Sequence, residues 1–235
     1  MGAARAPRGA PPHGRGSIAG FPWEELAAPL AGRVVRLEPI TPDHEPALWD
    51  AARDERIWET THLLIRTRDD FAVWMDNALD EQARRVAAPF ATVDAATGRV
   101  LGSTRYGSFR PEHRSLEIGW TWLNPSAWRR GANVEAKLLM LARAFDDLGC
   151  VRVEFKTNAR NERSRAALAA LPAQFEGVHR KHMIVRDGER RDSAWYSVLD
   201  DEWPAVRSNL ERRLATRVNE PDKRAERRIS HTRRG

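Results

Sequence analysis

Apolar positions recur along the chain at two periods. Between Arg33 and Ile40, Val35 and Leu37 alternate with Arg36 and Glu38, which predicts a strand over 33–40. Thr41, Pro42 and Asp43 follow: a capping hydroxyl, a proline for the first turn and an acid for the positive end of the dipole. They predict a helix running to about Arg53. Thr67 to Asp70 has the form of a capping box, and Phe71, Trp74, Met75 and Leu79 then share one helical face, so a second helix is expected to about Arg85. Residues 88–109 read as two strands around a turn at Ala95–Gly98, and 115–123 as a third. From Asn133 to Gly149, Val134, Leu138, Leu141, Phe145 and Leu148 recur three or four apart, the most regular helical stretch in the chain. A strand over 151–157 and a short helix over 162–171, ended by Pro172, come next. Two strands then flank Asp187-Gly188, a two-residue hairpin signal, and residues 201–215 predict a closing helix.

Strands joined both by hairpins and across helices predict an α/β fold with a mixed, mostly antiparallel twisted sheet flanked by helices. The chain has 235 residues, of which 41% are hydrophobic and 31% charged, which suits one sizeable core with polar extensions. That core is expected over 21–204. Residues 1–20 read as a disordered basic N-terminal tail, and 205–235 as a C-terminal helix followed by a disordered basic tail. The net charge of +6 changes meaning once it is divided. Residues 205–235 carry +6 and residues 1–20 carry +3, which leaves the middle at −3. A folded part that is mildly acidic argues against nucleic-acid binding by the domain itself, and leaves RNA or ribosome contact to the tails. No apolar run is long enough to span a membrane, and the first residues lack the apolar core of a secretory signal, so a cytoplasmic protein is expected. The single cysteine, Cys150, can build neither a disulfide nor a thiolate zinc site within one chain, and no metal site is expected. It reads as a small buried residue at a strand start.

The candidate chemistry lies where the strand over 115–123 meets the helix from Asn133. A strand that feeds straight into a helix leaves the first helical N–H groups unpaired, and these suit a phosphate or pyrophosphate. Gly131 permits close backbone approach, and Arg129 and Arg130 add charge. No Gly-Lys-Ser/Thr follows, so this is not a Walker loop, and the glycines are too few for a dinucleotide fingerprint. By itself the turn is also compatible with a basic loop that merely starts a helix.

The run Leu123-x-Pro125-x-x-Trp128-Arg129-Arg130-Gly131-Ala132-Asn133 resembles the acyl-CoA signature of the GNAT N-acetyltransferase superfamily. The order of elements resembles that fold from about residue 31 to 200. "EIGW" at 117–120, "NERS" at 161–164 and the closing hairpin at 175–199 are similar to the RimJ/RimL-like branch. Trp128 stands where the family usually has Arg or Gln, Asn133 where it has Gly or Ala, and Pro172 where it has Gly.

The resemblance implies transfer of an acetyl group from acetyl-CoA to a primary amine, either a protein N-terminus or a small molecule. An amine must lose a proton before it attacks, and Glu117 matches the carboxylate that would take it, directly or through water. A backbone N–H near Trp122 or Leu123 would face the developing oxyanion. Trp128, Arg129, Arg130, Gly131, Ala132, Asn133 and Val134 would cradle the pyrophosphate. Asn161 would contact the pantetheine arm or start a helix, and Ser164 would meet the leaving thiolate. Trp58 and Trp74 are placed on early helices that often flank the acceptor groove, while Trp49 and Trp120 read as core or pocket-lining residues. His179 and His182 are expected on opposite sides of a strand, and Tyr196 to be packed. Two other readings stay open: a CoA-binding module without catalysis, and an RNA- or ribosome-associated protein acting through its basic tails. Either a monomer or a homodimer fits an exposed sheet edge.

Overall fold

A computed structural model of the chain describes residues 20–61, 63–185 and 188–219. Eight strands form one sheet in the order β1-β2-β3-β4-β5-β6-β8-β7. They are β1 (Leu30–Ala31), β2 (Val35–Pro39), β3 (Ala88–Asp94), β4 (Val100–Arg110), β5 (Ser115–Leu123), β6 (Arg152–Asn158), β7 (Gln174–Ile184) and β8 (Arg190–Leu199). Every neighbouring pair is antiparallel except β5 with β6, so the expected mixed, mostly antiparallel α/β sheet is observed. The parallel pair has the feature that matters for function. It pairs only Ser115–Glu117 with Arg152–Glu154. Beyond that point β5 stays with β4 and β6 stays with β8, and a wedge opens between them.

Helices cover both faces. α2 (Glu45–Ala52) and α3 (Arg68–Ala83) pack on Ala91, Val93, Val100 and Trp122. On the other face α1 (Trp23–Leu26), α4 (Ala132–Ala142), α5 (Glu162–Ala170) and α6 (Trp203–Asn219) share a larger core with Leu37, Phe90, Leu116, Ile118 and Val153. Alternation along β3 sends neighbouring residues to the two cores, as at Phe90 and Ala91. Thr67 caps α3 as expected: its hydroxyl accepts from Asp70 N at 3.1 Å while the Asp70 carboxylate accepts from Thr67 N at 2.9 Å.

Several elements differ from their sequence expectation. Residues 42–44 form a 3-10 turn, and α2 begins only at Glu45, because Pro42 and Pro46 sit at successive first turns. α1 and β1 are too short to leave a periodic signal. The long helix stops being α-helical at Ala142 and widens into a π turn over Arg143–Asp147. Of the predicted stripe, Val134, Leu141 and Phe145 are buried as expected. Leu138 and Leu148 are half-buried, while Met140, Leu141 and Ala144 are fully enclosed together with two charged residues, Glu135 and Lys137. Glu135 accepts from the backbone N–H groups of Arg33, Val34 and Val35 at 2.9, 2.6 and 2.7 Å, which ties the β1–β2 loop to α4. Gly32 is required beside it, since a Cβ there would collide with the Glu135 carboxylate.

The closing helix continues the core rather than trailing from it. Trp203 stacks on Phe145 at 5.5 Å, its indole N–H donates to Asp146 Oδ1 at 2.8 Å, and Val206 and Leu210 are buried. The tail residues 1–19 and 220–235, to which RNA contact was assigned, and Asp187 of the hairpin signal lie outside the described residues. Among the described residues no helix is long and apolar enough to cross a membrane.

Candidate active site

The wedge between β5 and β6 has a bulge on one lip. Ser103 pairs with Trp122 and Arg105 with Gly119, so three steps along β5 face two along β4. Trp120 takes up the extra residue with φ of 50°. The bulge swings the Trp120 ring across Gly107 on β4, where a Cβ would sit 2.9 Å from the ring. Two cations flank the same ring: Arg105 at 5.6 Å and Lys156 at 5.7 Å from its centroid.

Glu117 lies two residues before Gly119, on the face opposite Leu116 and Ile118, as alternation predicts. It is 2% exposed. Its Oε2 accepts from Ser108 Oγ at 3.0 Å and from Lys156 Nζ at 3.3 Å. Gly119 makes room for this carboxylate, because its absent Cβ would lie 3.0 Å from Glu117 Oε1. A buried carboxylate is thus held on a lip of the wedge by one hydroxyl and one ammonium.

Trp120 also lines a cleft of about 440 Å³. Leu64, Ile65, Val73 and Trp74 give it apolar walls; Arg105 and Glu81 form an ion pair there. Arg105 is 4% exposed and lies between the rings of Trp74 and Trp120. Trp74 therefore lines the cleft. Trp58 does not: it is 1% exposed, follows a 3-10 turn rather than lying on a helix, and packs on Trp122 at 5.4 Å. Trp122 itself faces that second core, so only its backbone borders the wedge.

Beyond β5 the turn reaches α4. Gly131 has φ of 91° and precedes the helix, and among the described residues no side chain caps the first N–H groups of α4. Arg129 and Arg130 are exposed beside it; Ala132 and Val134 are buried and Asn133 half-buried. Trp128 has a local function that the family pattern did not suggest. Its indole N–H donates to Leu123 O at 2.8 Å and pins the end of β5. Its ring carries the Arg163 guanidinium at 3.8 Å. Arg163 is the second residue of α5, which follows β6, so this stack clasps the outer ends of both arms of the wedge. Asn161 caps α5, its Oδ1 accepting from Ser164 N at 2.9 Å, which makes it a helix-start residue. Ser164 is half-buried in the first turn.

The two histidines correct an expectation. They do not lie on opposite sides of β7. A register shift between His179 and Met183, with Lys181 at φ of 50°, brings both rings against Trp195, at 5.0 and 5.6 Å. Burial, with Lys156, His179 and Arg191 nearby, holds His182 below the usual histidine range. Tyr196 is packed, its oxygen accepting from Arg165 Nε at 3.1 Å. Cys150 is enclosed, and burial pushes its thiol up to about 12, so it stays protonated.

A strand wedge with a bulged lip, a carboxylate inside it and an uncapped, basic helix start at its end defines a GNAT-type acyltransferase fold. Residues 35–173 match the model of the acetyltransferase (GNAT) domain, more than half of the chain, and the chain belongs to that family. GNAT domains use acetyl-CoA as acetyl donor, and the uncapped N–H groups of α4 beside Arg129 and Arg130 fit a pyrophosphate. The crystal structure of a GCN5-related N-acetyltransferase from Brucella melitensis is similar with a TM-score of 0.73 and 34% identity, covering 79% of this chain and 84% of that one. Mycobacterium smegmatis RimJ in complex with CoA-disulfide shares the fold, with a TM-score of 0.64 and 23% identity over 78% of this chain and 91% of its own. By sequence, the uncharacterized N-acetyltransferase YoaA of Bacillus subtilis (strain 168) is 29% identical over 103 residues, which are 44% of this chain and 57% of YoaA.

Proposed function

We propose that the chain transfers an acetyl group from acetyl-CoA to a primary amine by direct attack, as a RimJ/RimL-like member of the family. The observation that carries this reading is the buried Glu117 carboxylate on β5, two residues before the bulge and at the point where pairing with β6 ends. The wedge would hold the pantetheine arm, and the turn from Trp128 to Val134 the pyrophosphate. The cleft beside Trp74 and Trp120 would hold the acceptor, a protein N-terminus or a small-molecule amine.

Glu117 would take the proton that the acceptor ammonium must lose. The amine nitrogen bonds to the acetyl carbon, the C–S bond breaks, and the CoA thiolate takes up a proton. Backbone N–H groups near Trp122 and Leu123 would steady the charge on the acetyl oxygen, and Ser164 would donate to the thiolate. Lys156, 3.3 Å from Glu117, has to give way to the acceptor or share the carboxylate with it. The same ion pair favours a second reading, a CoA-binding module in which Glu117 is structural.

Calorimetry with acetyl-CoA, followed by thiol release across peptides and small amines, separates the readings. Binding with amine-dependent thiol release is expected. Binding without release from any amine favours the module, and no binding removes both.

A further inference from the structure

We infer that Lys137 is a positioning residue for acetyl transfer: its buried amine pins the β5 bulge, and with it the backbone lining the reaction site, to the helix that starts at the phosphate turn. The inference rests on the acetyl-transfer reading for its catalytic consequence, and on side-chain geometry alone for the pin.

Lys137 lies five residues into α4, on the face that packs against the sheet, and is 6% exposed. Its Nζ donates to Thr121 Oγ1 at 2.8 Å and to Thr104 Oγ1 at 3.2 Å. The two hydroxyl oxygens are 2.8 Å apart, and Thr121 Oγ1 also lies 3.3 Å from Gly119 O. Among the described residues no carboxylate pairs with this amine. An unpaired amine in a core is expensive, and a methionine or leucine would fill the same space without that penalty. The position thus carries a cost that packing does not require.

What the amine supplies is a hydrogen-bonded hold on a segment whose backbone ladder is interrupted. A bulge interrupts the ladder on its own strand pair. Here the interruption between Gly119 and Trp122 coincides with the stretch where β5 has already parted from β6, whose pairing ends at Glu117. Trp120 and Thr121 therefore lack regular pairing on either side. Thr121 is the one residue of that stretch tied by its side chain to β4 and to α4. The segment carries Trp120, whose ring forms the cleft wall, and it joins Glu117 to the end of β5 at Leu123. Reaction geometry tolerates little play: a misplacement of about 1 Å costs about 100-fold in rate. Pinning the bulge to α4 also fixes the distance between the proposed thioester site and the proposed phosphate site, because both then ride on one helix.

Lys137→Met and Thr121→Val test the inference in the full chain, with Thr121→Ser as the variant that keeps the hydroxyl. Hydrogen exchange read over 116–123 is expected to accelerate about ten-fold or more in Lys137→Met and Thr121→Val. Exchange over α4 should stay as in the unaltered protein, and stability should not fall in Lys137→Met. With acetyl-CoA and an accepted amine, kcat is expected to drop by about 10- to 100-fold while the KM for acetyl-CoA stays within about three-fold. Thr121→Ser should restore both. Bulge exchange unchanged in Lys137→Met overturns the pin. Accelerated exchange with unchanged kcat overturns its role in transfer. If the unaltered protein transfers no acetyl group, the acetyl-transfer reading fails, and the exchange arm still decides whether Lys137 holds the bulge.

Discussion

Replacing Lys137 by methionine should make the protein more stable at neutral pH and remove part of its pH dependence. Burial lowers the Lys137 ammonium from 10.5 to about 7. Between those values the unfolded chain binds a proton that the folded chain does not, so stability rises with pH across that window. Below about pH 7 both states are protonated, and the full penalty is present and constant. Lowering the ammonium from 10.5 to about 7 sets an upper figure of about 5 kcal/mol for what the charged lysine takes from folding. Methionine forgoes the bonds to Thr104 and Thr121, but these hydroxyls keep one another at 2.8 Å, so no orphaned acceptor remains. A gain of about 2–4 kcal/mol at pH 7 is expected. Urea unfolding at steps from pH 6 to 9.5 measures it. The stability of the lysine protein should climb relative to the methionine protein by about 1.4 kcal/mol per unit above pH 7, while other titrating groups cancel in the difference. Parallel curves, or a methionine variant that is less stable at pH 7, would refute the reasoning.

Other perturbations follow from single contacts. Glu135→Ala leaves three backbone N–H groups of the β1–β2 loop without their carboxylate, and should lower stability by about 3 kcal/mol in denaturant unfolding. Gly107→Ala drives a Cβ into the Trp120 ring; it should cost about 1–3 kcal/mol and most of the acetyl transfer, read by melting and thiol release. Thr67→Ala removes the cap of α3 and should cost about 1 kcal/mol with acetyl-CoA binding unchanged by calorimetry. Cys150 should resist thiol reagents at pH 8 until the chain unfolds, because its thiol stays protonated up to about 12.

Much of this fold can be read from local pattern. β5 runs over 115–123 as alternation predicts, and the capping box of α3 starts at the expected Thr67. What local pattern cannot carry is register. Lys156 sits in "VRVEFKT" as an ordinary strand lysine; only the parallel pairing of β5 with β6 brings its amine to Glu117. Trp120 reads as one tryptophan among nine until a bulge turns it across Gly107. The histidines of β7 share one side for the same reason, since a period of two fails wherever a strand takes in an extra residue. Lys137 and Glu135 fall on positions that a hydrophobicity pattern assigns to solvent, yet they face the sheet and the β1–β2 loop. Trp128 looked like a departure from a phosphate-binding signature, and it fastens the end of β5 and the start of α5.

The account turns on whether Glu117 takes the proton from the acceptor amine. The most direct measurement is the pH dependence of kcat/KM for an accepted amine, with the unaltered protein and Glu117→Gln compared on the same acetyl-CoA preparation and calorimetric affinity for acetyl-CoA as the control. The account predicts a fall of about 100-fold or more in the glutamine variant at neutral pH, part of it recovered as rising pH deprotonates the free amine, with acetyl-CoA affinity retained. Equal rates at every pH, with acetyl-CoA still bound, would contradict it.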